Sequence, residues 1–320
     1  MQPQSPSAES QLRSRHRWPY LVALRPHQWT KNIVVSAAPL FAFSLNVQTL
    51  LGSLLAFMLF CGISSSFYLL NDIVDVESDR RHPVKCKRPI ASGQVSIPVA
   101  IGMAIILSLG TLSLGWLRAP ELGITLVTYA ILQVAYNFRL KREPIMDIIA
   151  ISMGFVLRAV AGIAANGLPL SPWFLICAAM LALFLAIEKR KAELIWAQAG
   201  IGKTRKVLEF YSLPVLTRME SSATSGALIS YTLWSAGPVV GGADSPWMLL
   251  TLPFVLYGIF RYQLLSDQQG KLAQNSEFSE QQTERPETVL LRDRPIQVTI
   301  VLWVLLVFMI FWLHGRGIIA

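Results

Sequence analysis

Asn71-Asp72-Ile73-Val74-Asp75-Val76-Glu77-Ser78-Asp79 follows directly on an apolar run of membrane-spanning length. If a helix continues through it, Asp72, Asp75 and Asp79 fall at i, i+3 and i+7, on one face. Three clustered carboxylates repel one another, and the macrodipole disfavours negative charge at a helix C-terminus. Two local rules broken at one place mark a candidate site. The donor set is hard oxygen, which suits Mg2+, an ion held by one or two carboxylates together with substrate phosphates. The competing reading is a solvated acidic helix end. The length of apolar chain ahead of the cluster argues against it.

Cations follow the acids at once, in Arg80-Arg81-His82-Pro83-Val84-Lys85-Cys86-Lys87-Arg88-Pro89-Ile90-Ala91-Ser92-Gly93. Carboxylates that hold an ion beside Lys and Arg that neutralise phosphate make a metal–phosphate site. Pro83 is expected to end the helix. Three further segments carry similar chemistry. Arg25-Pro-His-Gln-Trp-Thr-Lys31-Asn32 mixes cations with amide and indole donors, and reads equally as an interfacial anchor. Tyr136-Asn-Phe-Arg-Leu-Lys141-Arg-Glu-Pro leads into Asp147, which shares a helix face with the intramembrane Arg158. Glu188-Lys189-Arg190-Lys191-Ala-Glu193 places Lys189 and Arg190 four and three residues before Glu193, so a solvated helix end with internal ion pairs is its alternative. No serine-nucleophile elbow or phosphate-binding glycine loop is present, and none of the four histidines has metal-ligand spacing.

These segments need a membrane scaffold. Of the 320 residues, 53% are hydrophobic and 15% charged, too apolar for an average soluble domain. Apolar runs near 33–48, 50–70, 97–117, 121–138, 146–166, 172–188, 222–240, 246–264 and 296–313 give nine expected spans, an all-α integral membrane protein. Of the 28 Lys and Arg, 25 lie before the first span or after spans two, four, six and eight, counting Arg261 in the last turn of span eight. That bias puts the N-terminus and the charged loops in the cytoplasm, with the C-terminus outside. The net charge of +9 therefore belongs to topology and to anionic substrates, not to nucleic acid. Cys61, Cys86 and Cys177 have no metal spacing, and no disulfide is expected. Residues 1–17 read as a disordered polar tail, and residues 18–320 as one polytopic domain in the cell membrane.

The Asn-Asp-x-x-Asp-x-x-x-Asp run followed by Arg-Pro-Ile-Ala-Ser-Gly resembles the UbiA-type prenyltransferase superfamily. More narrowly, the opening at Arg25–Asn32, Gly154-Phe-Val-Leu-Arg158-Ala-Val-Ala-Gly162, the Lys189-Arg-Lys-Ala-Glu193 motif and Arg285-Pro-Glu-Thr-Val-Leu-Leu-Arg-Asp-Arg294 resemble its decaprenyl-phosphate phosphoribosyltransferase branch. The resemblance implies nine transmembrane helices around a central cavity with cytoplasmic loops, 5-phosphoribosyl diphosphate as donor and a polyprenyl phosphate as acceptor. It implies that Asp72, Asp75 and Asp79, with Asn71, hold Mg2+ on the donor's diphosphate. Arg25, Lys31, Asn32, Lys85, Arg88, Lys189, Arg190 and Glu193 would surround the phosphates and the ribose. Tyr136 and Lys141 would close the pocket, and Arg158 would reach either substrate. Two departures stand out. The second aspartate motif of aromatic prenyltransferases is replaced by the mostly cationic Glu188–Glu193, and His27 stands where the branch leads one to expect Arg. An aromatic prenyltransferase and an anionic-metabolite transporter are the rival readings. The first lacks its second aspartate motif here, and no repeat symmetry supports the other.

Overall fold

The computed structural model describes residues 17–42, 44–82, 85–169, 171–198, 206–274 and 293–319, with side chains omitted from 269–274. The expected polar tail and most of the 285–294 motif lie outside the described residues. Among the described residues there are helices and turns and no strand. The α-helices are α1 Pro19–Ala23, α2 Ala37–Phe41, α3 Val47–Val74, α4 Val76–Arg80, α5 Ile97–Arg118, α6 Pro120–Phe138, α7 Met146–Asn166, α8 Pro172–Gln198, α9 Leu213–Ser235, α10 Leu252–Gln274 and α11 Arg294–Gly315. Among the described residues, six helical segments, covering α3, α5, α7, α8, α10 and α11, are long and apolar enough to cross a bilayer. The protein is thus a multi-pass helical membrane protein.

Local chemistry sets several helix starts. Asn46 and Thr49 form a reciprocal capping box at α3. Asp293 accepts the Ile296 N–H at the head of α11 (2.9 Å). Proline occupies the first turn of α5, α6, α9 and α11, where its missing N–H costs nothing. Leu117, Phe138 and Ile106 point outward at 82%, 77% and 72% exposure, as lipid-facing residues do.

The expected helix over 33–48 is not one helix. Pro26–Ser36 is a 3₁₀ helix that passes into the short α2. It runs antiparallel to α3. Arg25 meets Asp72, Trp29 Nε1 donates to Ser65 Oγ (3.0 Å), and Asn32 Nδ2 donates to Cys61 Sγ (3.3 Å). Phe41 ends among Phe174 and Trp234, ring centroids 4.6 and 4.4 Å away. At 2.0 Å rise per residue the 3₁₀ stretch and α2 together extend about 30 Å, the thickness of a hydrocarbon core. Gly162 on α7 permits the approach, because a Cβ there would lie 2.0 Å from the Val35 carbonyl oxygen. Helices α7 to α9 pack as successive antiparallel neighbours, which returns the C-terminal ends of α3 and α8 and the N-terminal ends of α7 and α9 to one face.

Candidate active site

The acidic run does not continue as one straight helix. It bends at Asp75, which ends α3 and precedes α4, although Asp75 N–H still bonds the Asn71 carbonyl (2.9 Å) and Asp79 N–H the Asp75 carbonyl (2.8 Å). The bend separates the three carboxylates expected on one face. Asp72 and Asp79 are buried at 3% exposure each, whereas Asp75 lies on the exposed side. Among the described residues no three acidic, histidine or cysteine side chains converge on one point.

Two arginines close on the buried pair instead. Arg25 Nη2 donates to Asp72 Oδ1 at 2.5 Å. Arg88 Nη1 donates to the same oxygen at 2.9 Å and to Asp79 Oδ2 at 2.6 Å. Arg25 has a left-handed backbone (φ 55°) immediately before Pro26, and its guanidinium stacks 5.1 Å over the Tyr68 ring. Arg88 is delivered by a turn. Ser92 N–H bonds the Arg88 carbonyl (2.8 Å) and Val95 N–H the Pro89 carbonyl (3.0 Å), while Gly93 takes φ 76°. Ile90 and Val95 plug this turn into a core with Leu69, Val76 and Ala100. The Arg-Pro-Ile-Ala-Ser-Gly stretch is therefore an apolar plug that aims one guanidinium back at α3.

These residues fit a divalent cation. The donors are hard carboxylate oxygens, and a single Arg88 nitrogen stands between two of them as a stand-in cation. Asp72 and Asp79 would hold the ion, with Asp75 on the exposed side of the bend.

A second cluster lies where α7 begins beside α8. Arg190 and Asp147 are both fully buried, and Arg190 Nε donates to Asp147 Oδ2 at 2.6 Å. Arg190 Nη1 also pairs with Glu193, one turn on. Tyr211 O–H donates to Asp147 Oδ1 (2.7 Å) and accepts from Ile145 N–H (2.6 Å). Ile145 has φ 68°, a strained value for a β-branched residue. Burial, and then the bond to Asp147, raise the Tyr211 phenol well above its ordinary range. Tyr136 lies within electrostatic reach of Arg190. Beside this cluster, Lys191 Nζ bridges the buried Glu188 Oε1 (3.1 Å) and Glu220 Oε2 (2.5 Å), and Gln263 donates to Glu220 (2.7 Å).

Arg158 does not join Asp147, despite their shared helix face. Its Nε donates to Asn32 Oδ1 (2.7 Å), its Nη1 to the Gly154 carbonyl (2.6 Å) and its Nη2 to Tyr129 O–H (3.1 Å). The rings of Tyr129, Phe155 and Phe60 surround it at 5.0 to 5.6 Å. Asn32 is thus buried beneath the site, bonded to Arg158 and Cys61. Lys31, Asn71, Tyr136, Lys141 and Lys189 are half-buried, and Lys85 is exposed. Sequence reasoning missed Tyr211, Glu220 and Gln263. Glu220 carried a usable signal, an acid in the chain just before an apolar run, whereas a lone tyrosine in a loop carries none. An open apolar groove of about 440 Å³, lined by Val47, Leu51, Leu55 and Arg118 among others, lies at the opposite end of α3 from Asp72 and has no part in this site.

Residues 33–280 of this multi-pass helical chain match the model of the UbiA prenyltransferase family. The chain belongs to that family. It is 36% identical over 295 residues to a decaprenyl-phosphate phosphoribosyltransferase of Mycolicibacterium smegmatis, covering 88% of this chain and 89% of the relative. It is 37% identical over 294 residues to the enzyme of the same name from Corynebacterium glutamicum, covering 90% of this chain and 85% of the relative. In fold it resembles a UbiA homolog from Archaeoglobus fulgidus bound to GPP and Mg2+, with TM-score 0.65, 18% identity and coverage of 92% of this chain and 99% of that one.

Proposed function

We propose that the protein transfers 5-phosphoribose from phosphoribosyl diphosphate to a polyprenyl phosphate of decaprenyl type, releasing diphosphate. The observation that carries this reading is the convergence of Arg25 and Arg88 on buried Asp72 and Asp79, in a chain similar along most of its length to decaprenyl-phosphate phosphoribosyltransferases. An acceptor phosphate oxygen attacks C1 of the donor's ribose, and the bond from C1 to the diphosphate oxygen breaks, with its electron pair leaving on the diphosphate. The attacking oxygen is already anionic near neutral pH, so no strong base is needed. The burden falls on positioning and charge stabilisation. When bound, Mg2+ supplies Lewis-acid stabilisation of the departing diphosphate. Arg25 and Arg88 take the diphosphate oxygens, Lys31 and Lys85 border the entrance, and Lys189, with Lys141 and Tyr136, receives the ribose 5-phosphate and the lipid phosphate. Arg190, held by two carboxylates, keeps the wall of the pocket in place beside Glu193.

In this reading the chain crosses the membrane nine times around a cavity open to both substrates, the first crossing made by the 3₁₀ segment with α2, and these groups lie at the cytoplasmic surface. The test is incubation of the purified protein with labelled phosphoribosyl diphosphate, Mg2+ and a polyprenyl phosphate. Labelled lipid is the expected product. Product formed only from a polyprenyl diphosphate and an aromatic acid would overturn the reading.

A further inference from the structure

Asp72, Asp79, Arg25 and Arg88 sum to zero charge around two buried carboxylates. A divalent cation arriving alone would add two positive charges to a balanced, desolvated cluster. A diphosphate arriving alone would add an excess of negative charge. Each is costly where water cannot compensate. The two together nearly cancel.

Geometry sharpens the point. One atom, Arg88 Nη1, lies within hydrogen-bond distance of both Asp72 Oδ1 and Asp79 Oδ2. A Mg2+ ion held by those same two oxygens would lie about 2.0–2.1 Å from each. The guanidinium and the ion cannot share that space. The carboxylates are fixed, being 4% exposed, while the Arg88 and Arg25 side chains are 29% and 23% exposed and reach the solvent side. The backbone carrying Arg88 is held by the Ile90–Val95 plug, so its withdrawal is a side-chain swing and not a loop motion.

We infer that Arg88 occupies the cation's seat, and that donor diphosphate admits the metal by drawing Arg88, and Arg25 with it, onto phosphate oxygens. Metal and donor then bind with positive coupling, and Arg88 keeps the buried carboxylates from taking up a divalent ion when no donor is present. This deepens the phosphoribosyltransferase reading and rests on it for the identity of the donor.

Two measurements test it. In the first, Mn2+ alone is titrated into purified protein and the free ion is counted by its electron paramagnetic resonance signal. R88Q is expected to bind Mn2+ at least about fivefold more tightly than wild type, the lower end of usual coupling. Adding Asp79→Asn to R88Q is expected to abolish the gain. Equal affinity of wild type and R88Q, or a gain that survives Asp79→Asn, overturns the exchange. In the second, which uses wild type only and so does not depend on the variant folding, labelled phosphoribosyl diphosphate is dialysed against the protein with and without Mg2+. An affinity about 5- to 150-fold higher with Mg2+ supports the coupling. Donor binding unchanged by Mg2+ overturns it. Absence of donor binding under both conditions overturns the assigned substrate instead, and the Mn2+ comparison then decides the Arg88 exchange alone.

Discussion

Asp147→Ala is the sharpest probe of the buried network under the second cluster. Asp147 and Arg190 are both fully buried, joined at 2.6 Å, and Tyr211 O–H donates to the other Asp147 oxygen at 2.7 Å. Removing one member of a buried ion pair costs about 3–5 kcal/mol, because the remaining charge stays desolvated. Glu193 still neutralises Arg190 in the variant, which favours the low end, while the orphaned Tyr211 O–H adds about 1 kcal/mol. The expected loss is about 4 kcal/mol. Tyr211→Phe leaves Ile145 N–H unpaired and Asp147 short of one donor, and is expected to cost about 1–3 kcal/mol. It also releases the strained Ile145 backbone, whose φ of 68° the Tyr211 bond helps to hold. The two residues share one hydrogen bond, so the double variant should fall short of the sum by about 1–2 kcal/mol. The assay is retention of the monodisperse peak after heating in detergent. At about 2 °C per kcal/mol for a chain of this size, Asp147→Ala is expected to lower the midpoint by roughly 8 °C. A fall under about 2 °C, or strict additivity with Tyr211→Phe, would refute the network.

Asp75→Ala should insert and purify normally with a midpoint within about 1 °C of wild type, since its side chain is exposed, yet labelled-lipid formation should fall at least about 100-fold if it ligates the metal. Gly162→Leu is expected to destabilise by about 1–3 kcal/mol through collision with the Val35 carbonyl, whereas Gly102→Ala, with nothing within 4 Å of its added Cβ, should gain up to about 1 kcal/mol. The Tyr211 phenol is raised on folding, so its contribution is complete below the unfolded phenol pKa near 10 and is lost as pH climbs towards the folded value. Thermal midpoints measured in alkaline buffers should therefore decline more steeply for wild type than for Tyr211→Phe.

That Asp72 and Arg88 belong to one site was legible in the sequence because both residues sit in one short polar stretch between apolar runs, but their direct ion pair was not, since Arg88 was expected to meet phosphate. Hydropathy likewise exposed the helical membrane scaffold, since the bilayer imposes a length on each crossing. The bend at Asp75 was not legible, because a pattern of i, i+3 and i+7 assumes the straight helix it is meant to predict. Nor was the 3₁₀ form of Pro26–Ser36. Its hydrogen bonds differ from those of an α-helix by one residue, and its close approach to α7 at Gly162 is a tertiary contact that composition does not carry. Asp147 and Arg190 were each visible as charges, but their pairing over 43 residues follows from helix order alone. Tyr211 was invisible because only its partners make it unusual.

The two buried arginines divide the labour in a way that their shared residue type conceals. Arg190 meets two carboxylates and is more than neutralised within the protein. Arg158 meets amide, carbonyl, phenol and aromatic faces, and no carboxylate among the described residues. An Arg kept charged in such surroundings is costly unless its planar fork does geometric work that Lys cannot. Here the fork ties α7, through Gly154, to Tyr129 on α6 and to Asn32 on the 3₁₀ segment. Asn32 lies seven residues after Arg25, about 14 Å along a 3₁₀ axis. With Trp29 bonded to Ser65 between them, the segment is pinned at both levels against α3 and α7. Arg158 therefore fastens to α6 and α7 the same segment whose first residues carry Arg25 to Asp72.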